Sequence, residues 1–348
     1  MHRSIWFAAL VVVTVACLAT DSAAQKLNPQ ISVIGDTRLS YSDATEEASL
    51  ELEGVEFAFL GPLNPYASAE VFIGVHEGDT FEIEEAKLLL ERYLPAGLGL
   101  TVGRTLLDFG QLNPLHPHAY PFLDRPLMHS ELFGEDGAVD TAVRLDWIAP
   151  TDGVTLRATA GAVRGGVLSG GHGHDHEDEE SPEIGFTGRV DLFAEPSGGT
   201  SFLIGGSVLH GETDPESGAS GTFFGVDGKA TFDLGPSRSL VLNAEAVFAS
   251  LDATDEAGAA DPSGVFASVD LRLNPRWNIG GFGESTTERE DDSVRTSRFG
   301  GFLGLALMEE STAFRVVGRT TDPDGGARET EVIVQALFGL GPHQPHRY

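Results

Sequence analysis

Past its first 24 residues the chain has no cysteine, because Cys17 is the single one it carries. Disulfides and thiolate metal sites are therefore excluded from the remainder. Long apolar runs are also scarce. Ile5 to Val15 is the best of them, and it falls short of the roughly 20 apolar residues that a spanning helix needs. Positive charge is the third shortage: 22 basic side chains stand against 53 acidic ones, for a formal net charge of −31. That balance excludes the basic footprint on which nucleic-acid binding depends and suits a surface that attracts cations. No glycine loop is placed to cradle a phosphate, and the Ser, His and acidic residues show no spacing peculiar to a nucleophilic triad.

The N-terminal run has a different use. His2 and Arg3 precede the apolar stretch, and Ser22-Ala23-Ala24 follows it before Gln25. This is the layout of a secretory signal peptide, with cleavage expected after Ala24. Thr14 stands where a lipidation motif wants an aliphatic residue, which argues against attachment at Cys17. Residues 25–348 then form the mature chain. With no spanning helix after the signal, a membrane protein of this sequence must be a closed β-barrel, the other structure that satisfies its backbone in lipid.

Period-two alternation runs through that mature chain. Val71, Ile73 and Val75 alternate with Glu70, Phe72 and His76; Val265, Ala267, Val269 and Leu271 alternate with Ser268, Asp270 and Arg272. The same holds for Phe224, Val226 and Phe232 against Asp227, Lys229 and Asp233, and for Val332, Val334 and Phe338 against Glu331, Ile333 and Gln335. Such alternation puts one set on each face of a sheet. Short turns built on Pro, Gly, Asn or Asp alternate with generally longer polar loops near 42–48, 77–79, 109–138, 165–183, 211–220, 251–262, 286–294 and 322–328. That rhythm predicts an all-β fold: a transmembrane antiparallel up-and-down barrel of about 16 strands with both ends on the periplasmic side. Charges expected on the inner face, such as Arg144 with Asp146, Arg189 with Asp191 and Asp270 with Arg272, keep a lumen wet and satisfy one another.

The loop of 109–138 is the exceptional one. From Phe109 to Asp136 it holds four prolines, three histidines and several carboxylates. Its aromatic content argues for order, so the expectation is a segment folded into the lumen as a constriction or plug. Asp124, Glu131, Glu135 and Asp136 would then face passing solutes and favour cations. His116 and His118, with His129 beyond them, form one candidate metal group stiffened by prolines. A second lies in the loop of 165–183, where His172, His174 and His176 alternate beside Asp175 and Glu177. Imidazoles with carboxylates suit Zn²⁺ or a similar divalent ion, held loosely in so glycine-rich a tract.

Four pieces of the chain resemble a porin-like outer-membrane family of Gram-negative bacteria. They are NPQISVIGD at Asn28 to Asp36, VGRTLLDFGQLNPLHPHAYPFLDRPL at Val102 to Leu127, ELFGEDGAVDTA at Glu131 to Ala142, and GPHQPHRY at Gly341 to Tyr348. Members are often labelled uncharacterised or zinc-regulated outer-membrane receptor-like. The resemblance implies an outer-membrane location. With the residue reading it leads to one expectation: a non-enzymatic channel for small cationic solutes, with divalent metal ions such as zinc as the leading candidates. No cofactor is required, and the expected partners are membrane lipid and small solutes. Two alternatives remain, a surface metal-binding barrel without an open pore and an outer-membrane hydrolase.

Overall fold

The computed structural model describes residues 29–76, 81–90, 94–151, 153–169, 184–254, 257–307 and 311–341. The signal segment and the tract holding His172, His174, Asp175, His176 and Glu177 lie outside the described residues.

The first strands are β1 (Gln30–Ser42), β2 (Glu47–Asn64), β3 (Ala67–His76), β4 (Phe81–Leu90) and β5 (Leu98–Leu106). After a long non-strand segment come β6 (Val139–Thr151), β7 (Val154–Val163), β8 (Gly185–Ser197), β9 (Thr200–Asp214), β10 (Ala219–Gly235) and β11 (Arg238–Leu251). The last five are β12 (Ser263–Arg272), β13 (Trp277–Thr287), β14 (Arg295–Ala306), β15 (Thr312–Pro323) and β16 (Glu329–Leu340). Each strand pairs with its sequence neighbours, and β1 pairs antiparallel with β16 from Val33↔Leu340 to Ser42↔Glu331, so the sheet is a closed barrel. Closure removes the unpaired edges that lipid could not satisfy.

The alternation sorts side chains as the sequence implied. Phe224, Val226, Val265, Val269, Val332 and Phe338 are among the large apolar residues exposed on the outside. Their neighbours Asp227, Phe266, Ser268, Ile333 and Gln335 are buried on the inner face. So much outward apolar surface suits lipid and would be costly against water. No helix among the described residues is long and apolar enough to cross a membrane.

Two local departures interrupt the regular pattern, and the second shapes the site. Pro62 continues β2 rather than ending it, opposite Ser68 of β3 and beyond Leu60, the last residue of β2 paired with β1. In β4, Phe72 pairs with Glu85 and Ile73 with Ile83, which leaves Glu84 as the extra residue of a bulge. A bulge re-aims side chains, and this one turns the adjacent Glu84 and Glu85 toward the same inner cluster.

Candidate functional site

Residues 107–138 fold into the barrel. The neck is closed by Leu107 N–H donating to Ala138 O at 2.7 Å, and by fully buried Asn113. Its amide donates to Leu107 O at 2.8 Å and Ala138 O at 2.9 Å, and its Oδ1 accepts from Ala138 N–H at 2.8 Å. Further in, the Tyr120 hydroxyl donates to Leu112 O at 2.8 Å, and Arg125 donates to Asn113 O at 3.1 Å. A short helix, α1 (Leu127–Phe133), follows Pro126 and buries Met128, His129, Leu132 and Phe133. Gly110 (φ 67°) is required where it stands, because a Cβ there would run into the Glu245 carboxylate.

One side of this segment is apolar. Phe133 packs against Phe223 with ring centroids 5.0 Å apart, and Phe122 against Phe266 at 4.7 Å and Phe282 at 5.6 Å. Leu209, Val247, Phe302, Val317 and Ile333 extend the same buried cluster along β9 to β16. Each large apolar side chain fully buried stabilises docking by about 1.5–3 kcal/mol, so a segment with several of them is a fixed plug. The polar anchors agree. Glu245 accepts from Gln111 N–H at 3.0 Å and Leu112 N–H at 3.2 Å, and meets His129 Nε2 at 2.6 Å. Glu284 accepts from Leu127 N–H at 2.7 Å, while Arg315 donates to the carbonyls of His118 (2.9 Å) and Tyr120 (3.0 Å).

The other side of the plug meets β1 to β5 through charge. His116 Nδ1 lies 3.0 Å from Glu56 Oε2 and 3.1 Å from Glu84 Oε2, and its Nε2 lies 3.1 Å from Glu85 Oε1. Burial alone would lower the His116 pKa, but Glu56, aided by Glu84 and Glu85, raises it well above the ordinary value. His118 stacks beside His116 with centroids 5.8 Å apart, and its Nδ1 is 3.4 Å from Glu56 Oε2. Beneath them lies a small dry floor of Ala58, Leu60 and Phe72, with the Phe72 ring 4.6 Å from that of His116.

The expected metal group is thus divided. His116 and His118 share a carboxylate, whereas His129 is fully buried with Glu245 on the opposite wall. The four acids named for a constriction are not gathered in one place either. Asp124 sits between Arg38 (2.8 Å) and Arg319. Partial burial would raise its pKa, but the two guanidinium groups hold it below the ordinary value. Glu131 accepts from Arg289 N–H at 3.1 Å on the connection between β13 and β14, and Glu135 and Asp136 are exposed near the neck.

Sequence reading missed Glu56, Glu84 and Glu245 among the carboxylates that receive the plug; Glu85 it places with Lys87 on the inner face, where the two meet at 2.8 Å, without its contact to His116. Glu245 left a signal, since it is the lone charge at an inward position of Leu-Asn-Ala-Glu-Ala-Val. Glu84 left none, because the bulge breaks the alternation that would have placed it.

No family model matches the chain. An uncharacterised protein of Aquifex aeolicus is 25% identical over 285 residues, or 75% of this chain, and the chain spans 59% of that relative's length. Among solved structures the chain is similar to an anion-selective porin from Comamonas acidovorans, with TM-score 0.62, 12% identity and coverage of 90% of this chain and 100% of that one. It is also similar to Pseudomonas putida OprB (TM-score 0.60, 10% identity, 90% and 94% covered). The outer-membrane channel DcaP of Acinetobacter baumannii is a third (TM-score 0.59, 13% identity, 92% and 99% covered). The fold is therefore that of porin-like outer-membrane barrels.

Proposed function

We propose that the protein is a porin-like channel of the outer membrane that passes small cationic solutes, divalent metal ions foremost. The route runs along the wall formed by β1 to β6, beside the close contact of His116 with Glu56, Glu84 and Glu85 rather than through it. The observation that carries this reading is the asymmetry of the lumen. Aromatic packing seals the plug against β9 to β16, whereas the facing strands carry acids that stay in contact with water. Glu51 and Glu53 are exposed, and Glu70 and Asp146 are half-buried. Arg38, Lys87 and Arg144 stand beside Glu53, Glu70 and Asp146, and Glu51, Glu56 and Glu84 leave this wall with an excess of acid. Fixed carboxylates beside a narrow aqueous path favour cations. The apolar exterior and the shared architecture support outer-membrane placement. One similar barrel is described as anion-selective, so the barrel alone does not set the sign and the lumen side chains must.

The test is the reversal potential in planar bilayers under a KCl gradient. The wild-type channel should prefer K⁺, and Glu51→Gln with Glu70→Gln should reduce that preference, most clearly at low salt where screening is weak. Preference for Cl⁻ in the wild type would overturn the reading. The closeness of the plug's contacts favours a second reading, a metal-binding barrel with a closed lumen, and that version predicts no conductance.

A further inference from the structure

We propose that Glu56, Glu84 and His116 form a binding site for one divalent ion of the zinc class, at the seam between the plug and strands β2 and β4. Three ligand atoms, one from each residue, lie within 4.8 Å of one another. Ligands about 2 Å from an ion at tetrahedral angles stand roughly 3.3 Å apart. The His116 Nδ1 separations of 3.0 Å from Glu56 and 3.1 Å from Glu84 are close to that edge.

A divalent ion here would take the place of the Nδ1 proton through which His116 meets Glu56 and Glu84. Two carboxylates converge on one ring nitrogen, whose single N–H cannot serve both well. Glu56 is nine-tenths buried, and its second oxygen, Oε1, has no hydrogen-bond partner. An unpaired buried carboxylate oxygen is costly, and a cation held by both Glu56 oxygens would satisfy it.

The opposite edge of His116 is held as a metal-bound histidine usually is. Its Nε2–H faces Glu85, the pairing that fixes ring orientation and raises ligand basicity. Glu85 is not free to ligate. It accepts from Lys87 Nζ and Thr105 Oγ1 at 2.8 Å and from Leu106 N–H at 2.9 Å. Lys87 also reaches Glu70 at 3.4 Å, so its one positive charge is already shared. Glu84 meets His76 Nε2 at 3.0 Å through Oε1, which leaves its Oε2, together with Glu56, facing the place a divalent ion would take. An imidazole ligand selects zinc-class metals over Ca²⁺ and Mg²⁺, which take oxygen. An ion here would tie the plug to β2 and β4.

This site stands apart from the passage reading: a barrel that conducts cations but binds no zinc here would keep that reading and lose this one. The test is Zn²⁺ titration of the full folded chain in detergent, against a competing chelator that masks weak surface sites. One chelator-resistant Zn²⁺ per chain is expected, with Ca²⁺ and Mg²⁺ failing to compete. Co²⁺ in its place should give the visible absorption of a nitrogen-ligated site, absent in His116→Gln. Glu84→Gln, the mildest change because Glu84 lies on a bulge, should weaken binding at least by the roughly 10- to 100-fold that loss of an outer partner costs. The heat-modifiable gel shift of folded barrels verifies that each variant has folded. Absence of a chelator-resistant ion, or wild-type affinity in folded Glu56→Gln and Glu84→Gln, would overturn the proposal.

Discussion

Replacing Glu245 by alanine should release the plug while leaving the barrel closed. The carboxylate and its partner His129 have no exposed side-chain surface. Three donors converge on it: Gln111 N–H at 3.0 Å, Leu112 N–H at 3.2 Å and the His129 ring at 2.6 Å. Each buried donor left unsatisfied costs about 1–3 kcal/mol. Because water and local movement recover part of that, the docked segment should lose about 3–6 kcal/mol in Glu245→Ala. Glu245→Gln keeps one accepting oxygen and should lose only about 1–2 kcal/mol. The assay is chymotryptic cleavage at Phe122 or Phe133 in a urea series, with the gel shift of the folded barrel read in parallel. Glu245→Ala should be cut at much lower urea than the wild type while its barrel stays folded. If Phe122 and Phe133 remain as protected as in the wild type, Glu245 does not anchor the plug and the reasoning fails.

Two further outcomes test the frame around it. Val269→Arg places a charge on the exposed outer face and should cost about 2–4 kcal/mol if lipid lies there at mid-membrane depth. Ser49→Arg, on the inner face where Ser49 Oγ meets Ser40 Oγ at 2.7 Å, should cost far less, both being read by urea unfolding in phospholipid vesicles. Deleting Gly170 to Glu180 should leave the gel shift intact and lower the number of weakly bound Zn²⁺ ions seen by calorimetry. An unchanged number would mean that the tract is a solvated acidic loop and not a metal collector.

The strands were legible because a barrel wall between lipid and lumen imposes period two on every segment. Ala267 to Arg272 shows it residue by residue. The loop rhythm and the inward segment were legible too, since Phe109 to Phe133 has too much aromatic surface to stand in water. Its partners were not. Glu84 meets His116 across 32 residues, and Glu245 meets Gln111 across 134. Nothing local distinguishes such acids from ordinary lumen charges. Three histidines looked equivalent in the sequence, yet the turn at Pro117 sends His116 and His118 to one wall, and α1 carries His129 to the other. Phe266 and Phe282 were hidden for a related reason: an apolar residue on the inner face makes sense only once a plug covers it.

The central claim, that solutes pass along the β1–β6 wall, is tested most directly by thiol block of single channels. The chain past Ala24 has no cysteine, so an introduced one is the sole target. A cationic thiol reagent should lower the current through Ser49→Cys, where the wall is wet. It should leave Ser268→Cys unchanged, because Ser268 is only 8% exposed on the wall that the plug covers. Block at Ser268→Cys with none at Ser49→Cys would contradict the account.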